Sequence, residues 1–563
     1  MMDKSLQDTD DAQESFSQVS DALVYSVKRI FGMKDAQLKE NKELVESLPF
    51  SVEYDKDEKG SDTVYLKIRP LHSNQDMLVT PLEVTSIILQ SLRLAVERYL
   101  DIEGLKKQLD VPGSGKVRNC VVGVPAQFGQ AQRKLMEQAC RLAGFDGTVS
   151  TITESTAASM AYGLFSSTSR VKTILVFDMG GGTTDLTVCQ ETEDAAFHVV
   201  VSHGDDCLGG DDMDHALLDL VLNKYTKGQA ESKIKSQERR KLLRLCRKGK
   251  EELCGNADDG QGPAESCKVK ITNDVFVTVS WQEFNDAIQP LIRRAQNLVL
   301  LVLERYQDTY SSSSIDEVVL VGGATRVPEV RSMLQETFPH VELCTSVNAD
   351  SAVAQGAAIQ AALLSSLVPP HELRSALMLD ALPHSIGVKL DDGRFLSILE
   401  KDSPLPAMGY ASFTLADVHQ PGVTIVAVEN VGNDLPCEKI GEFSFLLRKL
   451  TEEQLASLHN KRHVDIGMTM ETDGKFIVSI FDPNDPEHVA KRRRYLKNKA
   501  ATRGNDIKLD YHESTTGVTS DDNGITWTKE ETKLLILPIL LFIVYVVVKL
   551  AFHEVEAESG DHY

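Results

Sequence analysis

The octapeptide Asp178-Met179-Gly180-Gly181-Gly182-Thr183-Thr184-Asp185 follows the apolar run Ile174 to Phe177. This pattern predicts a buried strand that ends in a carboxylate, turns over three glycines and returns through a second carboxylate. Without Cβ atoms the turn lets successive N–H groups approach a phosphate, and the two carboxylates stay near enough to hold a divalent metal or a water. Two more glycine turns repeat the arrangement. Asp206-Cys207-Leu208-Gly209-Gly210-Asp211-Asp212 precedes a helical pattern, and the apolar run Val318–Val321 breaks at Gly322-Gly323 before Arg326 and Pro328 open another helix. Three strand-to-glycine turns predict one nucleotide held between lobes, each lobe adding part of the cradle.

The elements that must position these turns alternate. Helical patterns run from Val19 to Phe31 and from Pro81 to Leu100, with a strand at Thr63–Ile68 between them. Val121, Val122 and Val124 form a short buried strand, and Gln132–Leu142 is a helix closed by Gly144. Strands follow at Val171–Phe177, Leu186–Cys189 and Val199–Val201. Helices follow at Ser232–Leu253, Trp281–Tyr306 and Ser351–Leu364, the last rich in small residues that permit close approach. Beyond Pro369-Pro370 the pattern changes to short runs of β period, including Ile386–Val388, Phe395–Ile398, Val423–Val428, Phe443–Leu446, Val464–Met470 and Phe476–Phe481. The reading is a polar extension (1–20), an α/β nucleotide-binding domain (21–366), a linker (367–383), an all-β sandwich (384–485) and a charged tether (486–533).

A formal net charge of −23 argues against a nucleic-acid surface, whereas local amides and a metal govern the field at a bound phosphate. Nine scattered cysteines, none in a CxxC pair, read as reduced thiols. The run Leu534–Phe552 is apolar but for Lys549, and its helical length of about 28 Å approaches the hydrocarbon thickness of a bilayer once Lys549 snorkels. It is read as a single transmembrane helix followed by an acidic tail (553–563). Lys529 and Lys533 before it place the bulk of the chain in the cytosol by the positive-inside tendency, as a tail anchor in a thin membrane such as the endoplasmic reticulum. The basic run Lys491–Arg494 is a solvated helix surface or a contact with membrane lipid.

Several motifs in order give the chain a resemblance to the heat-shock 70-kilodalton chaperone family. They are Val121-Val-Gly-Val-Pro-Ala-Gln-Phe128, Ile152-Thr-Glu-Ser-Thr-Ala-Ala158, the octapeptide at 178–185, the turns at 204–214 and 322–328, and Asn348-Ala-Asp-Ser-Ala-Val-Ala-Gln-Gly-Ala-Ala358. The resemblance implies an actin-like ATPase of two lobes, N-terminally incomplete, joined to a β-sandwich that binds unfolded or extended peptides. It implies ATP/ADP and magnesium as cofactors, and a J-domain co-chaperone and a nucleotide-exchange factor as partners. By the same resemblance Lys28 would take the place of the family's catalytic lysine, Glu154 and Asp178 would hold the magnesium's water shell, and Asp185 would help position the attacking water. Gly180, Gly181, Gly182, Thr183, Gly209 and Gly210 cradle phosphate. Lys250, Gly322, Gly323, Arg326 and Asp350 lie toward the rest of the nucleotide.

The departures from that pattern are specific. Nothing before Lys28 has the character of the family's first phosphate loop, so an incomplete gene product is one expectation. Arg247, Glu251 and Cys254 stand where glutamate, arginine and serine are usual, an inverted charge pair, and the helical lid after the β-module is largely missing. The alternative function is a non-catalytic adaptor at a membrane that binds nucleotide weakly or not at all.

Overall fold

A computed structural model describes residues 24–503 apart from 49, 57–61, 70–74, 103–115, 166–171, 192–196, 227–235, 256–261, 272–274, 310–313, 346, 366–377, 391–392, 432–436, 459–460 and 473. Among the described residues no helix is long and apolar enough to cross a membrane; the run 534–552 lies outside them. Contacts divide the described chain into two compact units, one holding 24–127 and 132–378, the other 379–503 with 128–131.

The first unit is built on five strands of one sheet, ordered Glu342–Cys344, Glu317–Val321, Thr173–Met179, Thr184–Glu191 and Phe197–Asp205. Thr173–Met179 is buried at every residue, as a continuous apolar run in a central strand must be. It pairs in parallel with Glu317–Val321, so that Val321 lies beside Asp178, and antiparallel with Thr184–Glu191, so that Asp178 lies beside Asp185. Phe197–Asp205 pairs antiparallel with the latter and ends beside Thr184. Three strands therefore finish at one edge of the sheet, and each of the three glycine turns leaves from that edge. The large core beneath them is closed by Gly210–Thr226, Ser236–Cys254 and Trp281–Thr309, through side chains such as Phe177, Leu186, Leu217, Cys246, Phe284 and Val299.

Elsewhere in this unit Cys120–Val124 and Val149–Thr153 pair in parallel, and the helix Glu154–Phe165 follows directly. Ala352–Leu364 lies against that helix so closely that a Cβ on Gly356 would stand 1.7 Å from the Ala157 carbonyl oxygen, which is why the segment is rich in small residues. The helix read over Val19–Phe31 is, within the described residues, only a 3-10 turn at Val27–Ile30. Ser26 at φ 57° and Gly32 at φ 77° flank it, and a right-handed helix cannot run through either.

The second unit is a β-sandwich of four strands, Phe395–Leu399, Ser385–Lys389, Gly422–Asn430 and Glu438–Leu446, and three, Ala407–Thr414, His463–Met470 and Phe476–Phe481. Ile386, Val388, Leu399, Ala427, Ile466 and Met468 form its core. The buried pair Arg462–Asp482 ties the start of one strand to the end of another. Within the stretch read as a tether, 486–503 is a helix. Tyr495 anchors it by donating to the Gly409 carbonyl at 2.7 Å, and Arg492 by pairing with Asp465 at 2.5 Å. All nine cysteines are free thiols.

Candidate functional site

The three glycine turns meet. Gly210 N–H donates to the Gly180 carbonyl at 2.9 Å, and Asp211 N–H donates to the Gly181 carbonyl at 2.7 Å. A Cβ on Gly209 would sit 2.4 Å from the Gly181 oxygen, so only glycine permits this approach. Gly322, at φ 83°, comes equally close, with a Cβ position 2.3 Å from the Met179 carbonyl oxygen and 2.8 Å from an Asp178 carboxylate oxygen. Thr184 adds a hydroxyl donated to the Leu208 carbonyl at 2.8 Å. The carbonyls of the first turn are thus held from outside, while the N–H groups of Gly181, Gly182 and Thr183 have no acceptor among the described residues. Successive backbone amides left without acceptors are what an anion-binding nest offers.

Beside these amides lies a set of enclosed carboxylates. Asp178 and Asp185 are cross-strand partners and share one face of the sheet. Gly204 makes room for Asp185, since its Cβ would fall 2.4 Å from that carboxylate. Burial, then the charge of Glu154, pushes Asp178 up to about 7 against the pull of Lys28. Burial and Glu154 lift Asp185 well above the carboxylate range in the same way, and burial lifts Asp206 to about 6. One oxygen of Asp185 and one of Asp206 are buried without a hydrogen-bond partner among the described residues.

Lys28 is the cation of this group. Its ammonium donates to both oxygens of Glu154, at 2.7 and 2.5 Å, from the 3-10 turn to the first residue of the helix Glu154–Phe165. Burial works against its charge, but Glu154, Asp185 and Asp178 together raise its pKa. A divalent cation fits this donor set, because unpaired buried carboxylate oxygens with raised pKa values are what a bound cation would relieve. Among the described residues no three His, Cys, Asp or Glu side chains converge to ligate a metal directly, so Glu154, Asp178 and Asp185 would hold magnesium through its waters.

On the other side of the turns Lys250 bridges Asp214 at 2.7 Å and the Gly210 carbonyl at 2.8 Å. Arg326 forms a two-pronged pair with Asp350 at 2.8 and 2.7 Å, alongside Gly323. Arg247 does not complete an inverted pair with Glu251. It reaches Asp211 at 2.6 Å and Asp214 at 3.0 Å, and lies over the Tyr25 ring at 5.3 Å. Ser26 donates to the same Asp211 at 2.5 Å, and these donors hold the Asp211 carboxyl below its usual range in spite of burial. Tyr25, Ser26 and Arg29 escaped the sequence reading. Their partners lie far along the chain and no local spacing marks them, although Arg29 beside Lys28 on a short turn was the available hint.

The first unit thus stacks three glycine turns at one end of its sheet, with shielded carboxylates beside a lysine, and the second unit is a separate β-sandwich. The family profile described as Hsp70 protein matches residues 9–495, and the chain belongs to the Hsp70 family. It is 30% identical over 408 residues to heat shock 70 kDa protein 2 of Paracoccidioides lutzii. It is 32% identical over 413 residues to the chaperone protein DnaK of Thermus thermophilus, and 32% identical over 408 residues to a chaperone protein HscA homolog of Mannheimia succiniciproducens. Each alignment takes in 72% of this chain but only 58 to 60% of the relative.

Proposed function

We propose that this chain is a membrane-anchored Hsp70-type chaperone that binds ATP with magnesium at the three stacked turns and couples its hydrolysis to the holding of extended apolar peptides by the β-sandwich. The observation that carries this reading is the concavity of unpaired amides at Gly181–Thr183 beside carboxylates raised in pKa. Bound magnesium would supply charge neutralisation at the phosphates. Lys28, released from Glu154, would set its ammonium against the phosphoryl oxygens, and Asp185 would orient the attacking water. Glu154 and Asp178 would fix the metal's water shell. J-domain and nucleotide-exchange partners follow from the family alone.

The test is steady-state ATP turnover of the wild type and of Lys28→Met. Turnover above background that the substitution removes supports catalysis; equal background in both removes the catalytic claim. A second reading, a nucleotide-binding adaptor without hydrolysis, draws support from the double engagement of Lys28 by Glu154, which withdraws the cation from a phosphate. Calorimetry showing Mg-ATP binding without turnover would favour it. The anchor at 534–552 with the bulk of the chain cytosolic, in the endoplasmic reticulum, is tested by protease protection. Release of the chain from membranes by salt alone would contradict it.

A further inference from the structure

We propose that Arg29 is a positioning residue for the phosphate concavity, acting through the peptide unit between Gly182 and Thr183. The inference rests on the nucleotide reading above. In a planar trans peptide the carbonyl of one residue and the N–H of the next point in opposite directions. Each carbonyl held from outside the glycine turn therefore fixes an amide facing inward. Gly180 and Gly181 are held by backbone N–H groups of Gly210 and Asp211, at 2.9 and 2.7 Å. Those two donors come with the helix start whatever the side chains are. The third carbonyl, Gly182, is held at 3.1 Å by Nε of Arg29, a side chain 153 residues away.

The rest of the guanidinium is committed in the same place. Its two terminal nitrogens clamp both oxygens of Asp212 at 3.1 and 2.5 Å, and Asp212 Oδ2 in turn accepts from the Gly209 N–H at 2.8 Å. Arg29 is only 4% exposed, so it is a clasp between two turns and its charge is spent on Asp212. The approach explains Gly182 as well, because a Cβ there would stand 2.9 Å from the Arg29 Nε. Lysine cannot substitute: a single ammonium lacks the planar fork that spans a carboxylate while a separate N–H serves a carbonyl.

The test uses the full chain and measures dissociation constants for Mg-ADP, Mg-ATP and adenosine in the wild type, Arg29→Lys and Arg29→Gln. Loss of one aimed amide against a phosphate should weaken Mg-ADP and Mg-ATP by about ten- to a hundred-fold. Adenosine, which presents no phosphate, should bind within about threefold of the wild type in either variant that folds, since phosphate affinity alone is lost when one amide is misaimed. Arg29→Lys keeps the positive charge, so a loss shared by both variants points to geometry and not to charge. Equal weakening of adenosine and the phosphorylated ligands would make Arg29 merely structural and overturn the proposal. So would unchanged Mg-ADP affinity in both variants. A wild type that binds adenosine but gains nothing from phosphates would sink the underlying phosphate reading itself, and the clasp with it.

Discussion

Asp178→Asn should stabilise the folded chain at pH 8 while abolishing its affinity for magnesium nucleotide. Asp178 is enclosed beside Glu154, and burial first and that charge second raise its pKa to about 7. In the unfolded chain the same group titrates near its ordinary value of about 3.9. Between those two values the folded chain keeps a proton that the unfolded chain has released, so stability falls as pH rises through the window and levels off above about 7. A displacement of roughly three units corresponds to about 4 kcal/mol at most, at 1.36 kcal/mol per unit. The asparagine cannot ionise and escapes this loss. The variant should match the wild type near pH 4 and exceed its stability by about 2–4 kcal/mol at pH 8. The assay is urea unfolding between pH 4 and 8 with chelator present, following Trp281 fluorescence in a Trp527→Phe background, because Trp281 begins a helix of the unit that holds the site. The difference between variant and wild type cancels the titrating groups that do not interact with Asp178, leaving Asp178 itself and the neighbours it acts on, Asp185 and Lys28. A difference that stays constant with pH, or a variant less stable than the wild type at pH 8, would refute the assignment of a raised Asp178.

Gly209→Ala would force a Cβ to 2.4 Å from the Gly181 oxygen, and it should cost about 1–3 kcal/mol and remove nucleotide binding. Gly262→Ala, whose Cβ would meet nothing within 4 Å, should melt like the wild type in the same thermal scan. In the sandwich, Arg462→Ala leaves Asp482 buried and unpaired and should destabilise that unit by about 3–5 kcal/mol, seen as faster amide exchange in His463–Met470. Replacing both partners by apolar residues should recover most of the loss. Mg-nucleotide binding near pH 6.5 should release protons as the raised carboxylates ionise, which calorimetry in buffers of different ionisation enthalpy measures.

Much of this arrangement is legible in the sequence because its cause is local. A run such as Ile174–Phe177 that stops at an aspartate and three glycines can be little else than a buried strand entering a tight turn, and the β-period runs after residue 384 carry their own punctuation. Strand order is what makes the turns meet, and it follows from pairing partners far apart in the chain, such as Val321 beside Asp178. The cations show the same limit. No local spacing marks Arg29 or Arg247 until Asp212, Asp211 and Asp214 are brought to them by the fold. Within the described part of the helical period read over Val19–Phe31, the apolar residues Val27 and Ile30 sit on a short 3-10 turn packed with Leu38, Leu44, Phe50 and Leu66. The sequence reading of Lys491–Arg494 as a helix surface left out its docking, which Tyr495 and Arg492 provide through the Gly409 carbonyl and Asp465.

The central claim is that the amides of Gly181, Gly182 and Thr183 converge on a phosphate, and hydrogen exchange at those three positions tests it most directly. With no acceptor among the described residues they should exchange readily without nucleotide, and Mg-ADP should slow all three together by at least about tenfold as they gain charge-assisted hydrogen bonds. Rates at these three amides that stay unchanged in millimolar Mg-ADP would contradict the account.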